Sequence, residues 1–200
     1  MNYRNIDLFA RELDIIVDED LRAIVRAFLI ERTPDYFWTD GASSSGKFHP
    51  EFAHNIGGLV RHTKAVVMFA EELLKLSTYA YMKDEHKDYV IASCILHDTI
   101  KYGFGNEIQK EEYKNHARNA SHAFYLFCRE CDYTPSPYML DAMCAHMGQW
   151  STHKEDRPFT NIDRCVHLAD YMASRSFIDI PTISYEYATV MGEPNETLPF

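Results

Sequence analysis

No stretch of the 200-residue chain approaches the run of about 18 consecutive apolar residues that a membrane-spanning helix needs. The opening residues, MNYRNIDLFARELD, carry too many charges for a secretory signal. Cysteine is sparse and odd in number, five in all, which rules out a fully paired disulfide framework and fits reduced thiols in a cytoplasmic protein. Cys128 and Cys131 form a lone CxxC, and without a second such pair they read as helix thiols rather than a structural zinc site. Basic residues are in deficit as well. Twenty Lys and Arg against thirty Asp and Glu leave a formal net charge of -10, which argues against a broad nucleic-acid surface. A small anionic substrate stays compatible with that charge, because a bound metal reverses the local potential. The sequence has no internal repeat and no low-complexity block.

What is present is an ordinary soluble composition, 46% hydrophobic and 25% charged, in a length that suits one domain with one core. Apolar residues recur at helical spacing from Ile6 to Glu31 (Phe9, Leu13, Ile16, Val17, Leu21, Ile24, Val25, Phe28), with Asp18-Glu19-Asp20 as a break and Pro34 as a stop. Further helices are expected over 51–76, interrupted at Gly57-Gly58, then over 86–97, 111–130 and 138–150. A last one should run from near Pro158 to about Ser176. Beyond Pro181 the pattern weakens; TISYEYATV alternates enough to be extended, and GEPNETLPF looks like a tail. The expectation is an all-α bundle of six or seven helices with a less regular C-terminal tail. Residues 1–50 should pack on a helical core over 51–178, with 179–200 as the tail, all in one globular domain.

Between the first helices and the core lies TDGASSSGKFHPEF. It reads either as a flexible connector or as a substrate-facing loop, since Ser hydroxyls, Gly amides and Lys47 together suit a phosphate. The glycine spacing is not that of a P-loop.

Ten His residues make a high count, and several stand beside acidic groups. Five places set a His or Asp in an apolar helical context: His62 in GGLVRHTKAVV, His97-Asp98 in CILHDTIK, His116 in KNHARNASHAF, His146 in AMCAHMGQW, and Asp170 in CVHLADYMASR. Singly, each has a plain explanation as a satisfied core or rim group. Together they are hard to bury without partners, at several kcal/mol apiece in rough terms. A shared metal centre would satisfy them at once, since bundles project ligands inward from facing helices. Mixed imidazole and carboxylate ligands suit Fe, Mn, Co, Ni or Zn rather than Ca.

The order His62, His97-Asp98, His116, His146, Asp170, with HDTIK matching an HDxxK form, resembles the HD-domain superfamily of metal-dependent phosphohydrolases. The resemblance runs from roughly Gly57 to Arg175. GGLVRHT is similar to the segment before the first metal His in HD-type exonucleases, and HLADY to the closing Asp segment of the bacterial HD-type dinucleoside tetraphosphatases. It implies that His62, His97, Asp98 and Asp170 hold a first divalent ion. His116 and His146 would hold a second, with Asp98 bridging. His122 competes with His116; the family's habit of a small-residue pair four or five positions on, here Ala120-Ser121, favours His116.

On this reading the protein is a cytoplasmic phosphohydrolase that cleaves a phosphate ester or anhydride of a nucleotide or similar small molecule through a metal-activated water. Asp98 and Lys101 are its catalytic residues, Lys101 as a cation for a phosphate oxygen. Lys47, Arg61, Trp150 and Arg175 are candidate substrate contacts, Trp150 through stacking on a base and Arg175 through a bidentate grip on phosphate. Arg61 and Lys64, which flank His62, face either substrate or solvent. Glu71, Glu72 and Asp141 are candidates to steady the ligating imidazoles. The alternatives are a 3'-5' exonuclease on single-stranded ends, less favoured because the chain is acidic, and a non-catalytic nucleotide sensor. No membrane partner is expected, and a homodimer is compatible with the sequence.

Overall fold

Helix α2, Glu19–Glu31, shows how the local signals work. Asp18 caps it, accepting the Leu21 N–H at 2.8 Å, and buried Leu21, Ile24, Val25, Phe28 and Leu29 repeat with the helical period. The preceding helix α1, Ala10–Asp14, ends four residues before this cap. The break is fixed from outside too, because the buried Asp88 carboxylate accepts the N–H groups of Val17 and Asp18.

The computed structural model describes residues 4–43, 49–104 and 115–192. Within them the α-helices continue with α3 (Asp35–Thr39), α4 (Gly58–Leu73), α5 (Asp84–Leu96), α6 (His116–Glu130), α7 (Pro137–Ala145), α8 (Asn161–Ala173) and α9 (Pro181–Met191). No strand occurs among the described residues, so the all-α expectation holds. With the break at 18–20 giving α1 and α2, the helices beyond the seven expected are α3, of five residues, and α9. No helix among the described residues is long and apolar enough to cross a membrane.

Helices α4, α5, α7 and α8 pack on one another as the centre of the bundle. Helix α6 lies against α7 and α2, where Phe28 meets Phe124 and Phe127 edge-on at 5.3 and 5.5 Å. The Gly57-Gly58 pair starts α4 for steric reasons. Gly57 has φ +71°, and a Cβ on Gly58 would stand 2.3 Å from the Ala53 carbonyl oxygen. Helix α8 opens with a reciprocal cap in which Thr160 accepts the Asp163 N–H and Asp163 accepts that of Thr160.

The extended reading of 181–191 is overturned: this stretch is helix α9. Its alternation is real but short. What decides the outcome is Ile183 and Tyr187, four residues apart, which bury against the 51–53 turn and α4. Helix α7 is shorter than expected, ending at Ala145, and Gly148 then takes φ +57° with the His167 ring where a Cβ would sit.

Candidate metal centre

The inner faces of the four central helices converge on one cluster of imidazoles and carboxylates. His62 comes from the second turn of α4; His97 is the cap residue of α5, and Asp98 follows it. His146 caps α7, and Asp170 lies in the last turn of α8. His116 is the first residue of α6, just after its N-cap Asn115. All six residues come together. Ligand atoms of His62, His97 and Asp170 lie within 4.8 Å of one another, and so do those of Asp98, His116 and His146.

Asp98 stands between the triads. Its Oδ1 is 2.7 Å from His116 Nε2 and 3.8 Å from His146 Nε2, while Oδ2 is 3.7 Å from His97 Nε2. On the far side, Asp170 Oδ1 is 3.1 Å from His62 Nε2 and 3.8 Å from His97 Nε2. Of the two histidines that compete in α6, His116 is the one that stands in a triad.

Two imidazoles are aimed by main chain. His97 Nδ1 meets the Cys94 carbonyl at 2.7 Å and His146 Nδ1 meets the Met143 carbonyl at 2.6 Å. Each Nδ1 must donate, so each Nε2 carries a lone pair pointed inward. The expected carboxylate partners are not used; Glu71 pairs with Arg11, and a carbonyl three residues back in each helix does the steadying. Nε2 of His97 and of His146 is buried with no hydrogen-bond partner. A buried orphan of this kind is costly, and a cation removes the cost.

The electrostatics fit a cation as well. Burial lowers the His97 and His146 imidazoles, His146 to about 4, so both rings are neutral near pH 7. Burial alone would raise Asp98 and Asp170. For Asp98 it is outweighed by Lys101, His97 and His116, and for Asp170 by His62, His97 and His146, so both carboxyls sit well below the usual range. Neutral imidazoles with ionised carboxylates are the donor set that a divalent transition ion takes.

A family model for the HD domain matches residues 59–175, more than half of the chain. The chain belongs to the HD-domain family. Membership of the HD domains implies a metal-dependent phosphohydrolase type of activity and a divalent metal, which the two triads are equipped to hold. Comparison with curated proteins and with solved structures returned no match.

The HD-domain cluster opens into a cavity of about 200 Å³. Its lining includes His49, Lys101, Trp150, His167, Tyr171 and Arg175. Lys101 donates to Asp98 Oδ2 at 2.8 Å and to the Ala42 carbonyl at 3.0 Å. Burial opposes its charge, but Asp98 prevails and its pKa is raised. Trp150 stacks on Tyr171 at 5.7 Å and 10°, and Arg175 lies 4.3 Å over the Tyr171 ring. Among the described residues Arg175 has no acidic partner.

Two other expected substrate contacts are not at the cavity. Arg61 donates to the carbonyls of Phe52 (2.5 Å) and His54 (2.8 Å) and covers Tyr187, so it ties the 51–54 turn to α4 and α9. Its neighbour Lys64 is buried against Glu12 and the Leu8 carbonyl. Lys47, with the rest of 44–48 in the Ser/Gly-rich segment, lies outside the described residues. His49, His167 and Tyr171 escaped sequence reasoning. For His167 and Tyr171 a signal existed, since with Asp170 and Ser174 they repeat at i, i+3, i+4, i+7 along one face of α8. His49 follows a loop and had no periodicity to mark it.

Proposed function

We propose that the protein is a metal-dependent phosphohydrolase that cleaves a phosphate ester or anhydride of a nucleotide. The observation that supports this most is the placement of two ligand triads around Asp98 at one side of a cavity, with a stacked aromatic pair and an arginine in the same lining. The triads are His62, His97 and Asp170, and Asp98, His116 and His146; two ions of the Fe, Mn, Co, Ni or Zn group held there would lower the pKa of a water and neutralise phosphoryl oxygens.

The chain's own groups do the rest. Lys101 spends two of its three N–H donors on Asp98 and Ala42, which fixes the shared carboxylate; the third is the one left for a phosphoryl oxygen. Arg175 is bonded to the Tyr171 carbonyl through Nε and to the Ser174 hydroxyl through Nη2, which leaves Nη1 to face a second anionic oxygen. Trp150, about half exposed at 51%, presents ring surface on which a base can stack.

The test is metal analysis of the purified protein with a screen of phosphomonoesters, dinucleotides and cyclic nucleotides, comparing wild type with Asp98→Asn. The expected result is transition metal in the wild type and hydrolysis that falls to background in the variant. Wild type without metal, or an Asp98→Asn protein as active as wild type, would end the proposal.

A further inference from the structure

His167 lines the cavity without belonging to either triad. It stands three residues before the ligand Asp170 on α8, and its ring is held from two directions. Nδ1 meets the His146 carbonyl at 2.7 Å. Gly148 supplies the other wall. Its φ is +57°, and a Cβ there would stand 2.0 Å from His167 Cε1 and 2.4 Å from Nε2, so a side chain at 148 would displace the ring. The turn after α7 is therefore shaped around this imidazole.

The two contacts leave one nitrogen to the cavity. A carbonyl only accepts, so in the neutral ring Nδ1 carries the proton and Nε2 is an acceptor. Among the described residues Nε2 has no hydrogen-bond partner. The ring centroid lies 6.3 Å from both Trp150 and Tyr171, tilted by 55° and 51°, which puts it beside the stack that those two rings make. Lys101 and Arg175, the cations of the cavity, can only donate and suit anionic oxygens. His167 offers the opposite polarity next to the aromatic faces.

We infer that His167 is a specificity residue: its Nε2 accepts a hydrogen bond from an N–H or O–H donor on the nucleoside part of the ligand. The donor is the exocyclic amine of a base or a hydroxyl of the sugar; both present the same chemistry to the ring. A ligand without that donor leaves Nε2 desolvated and unpaired, so the ring selects mainly by penalising the wrong ligand. The inference rests on the nucleotide reading and adds the atom that reads the nucleoside end.

The probes are 5'-AMP, 5'-GMP and 5'-CMP with protein as purified, and then the tightest of the three in its 2'-deoxy, 3'-deoxy and amine-free forms. Binding is followed in a stopped-flow mix, before turnover, by the fluorescence of Trp150; Trp38, the other indole of the chain, is buried in the core. One of the three analogues should bind about fivefold to tenfold more weakly than its parent, and which one it is tells amine from hydroxyl. His167→Phe keeps a flat ring but cannot accept, so parent and analogue should bind it within about twofold of each other. His167→Gln can donate to the His146 carbonyl and still accept, and should recover part of the preference. Metal per chain should match wild type in both variants, since His146 is aimed by its own bond to Met143. Wild type that binds parent and all three analogues alike, a preference that survives in His167→Phe, or loss of metal from both variants overturns this inference while the hydrolase reading stands. No fluorescence change with any of the nucleotides overturns it together with the nucleotide reading.

Discussion

His97 is wholly enclosed, whereas His116, on the other side of Asp98, has one-third of its side chain exposed. The triad of His62, His97 and Asp170 hangs on α4, α5 and α8, which pack against one another at the centre of the bundle. The other triad takes His146 from the same centre but depends on α6, which touches α7 and α2 instead. One site is therefore set by the core, and the other is completed from the rim. A ligand held by core packing is preorganised before the ion arrives; a ligand on the first turn of an outer helix must be held there by its own contacts.

The sharpest way to break this comparison is to remove one ligand from each triad. His97→Ala should release the inner ion and reduce hydrolysis to background. His116→Ala should keep the inner ion and lose the outer one. Metal per chain and thermal unfolding check both. Equal loss of metal from the two variants would mean that the triads are one site.

A smaller effect tests the buried part that the two triads share, by pH. Burial lowers the folded-state pKa of His97 and brings His146 to about 4, so between about pH 6.5 and 4 the unfolded chain binds protons that the folded chain refuses. Stability of the metal-free protein should therefore fall as pH drops through that window. Asp98 and Asp170 have depressed carboxyls, so the stability they contribute is present above about pH 4 and is lost only below it. Calorimetry in chelator at pH 7.5, 6 and 5 should show a declining Tm, and His116→Ala should decline in the same way. A Tm flat to pH 5 would show that burial does not hold the His97 and His146 rings neutral.

The same division explains what the sequence could show. His62, His97, His146 and Asp170 sit in apolar helical runs, and a buried proton-binding group in such a run is conspicuous. His116 needed the family pattern, because nothing in its own segment separates it from His122. Lys101 was visible from its spacing to Asp98, but its bond to the Ala42 carbonyl depends on a residue 59 positions away. Arg61 looked like a substrate contact because it adjoins His62; one step along a helix turns a side chain by about 100°, which here sends it to the 51–54 turn. Helix α9 was hidden because Ile183 and Tyr187 reveal a helix only once α4 and the 51–53 turn are in place to receive them.

The least disruptive way to sharpen the comparison is Arg118→Lys. Lysine keeps the charge but replaces a two-pronged fork with one ammonium, so the buried Asp156 carboxylate loses its paired donors. Helix α6 has other supports, the Asn115 cap and the packing of Phe28 on Phe124 and Phe127, so His116 should stay and the metal content should hold. What loosens is the stretch 151–156, next to the cavity residue Trp150. KM for the substrate found in the screen should rise by about threefold to fivefold with kcat within about twofold, the pattern of lost binding shared by ground state and transition state. If Arg118→Lys instead sheds the outer ion, the fork is what holds the start of α6 in place, and the rim site owes its geometry to Asp156 rather than to the helix's own contacts.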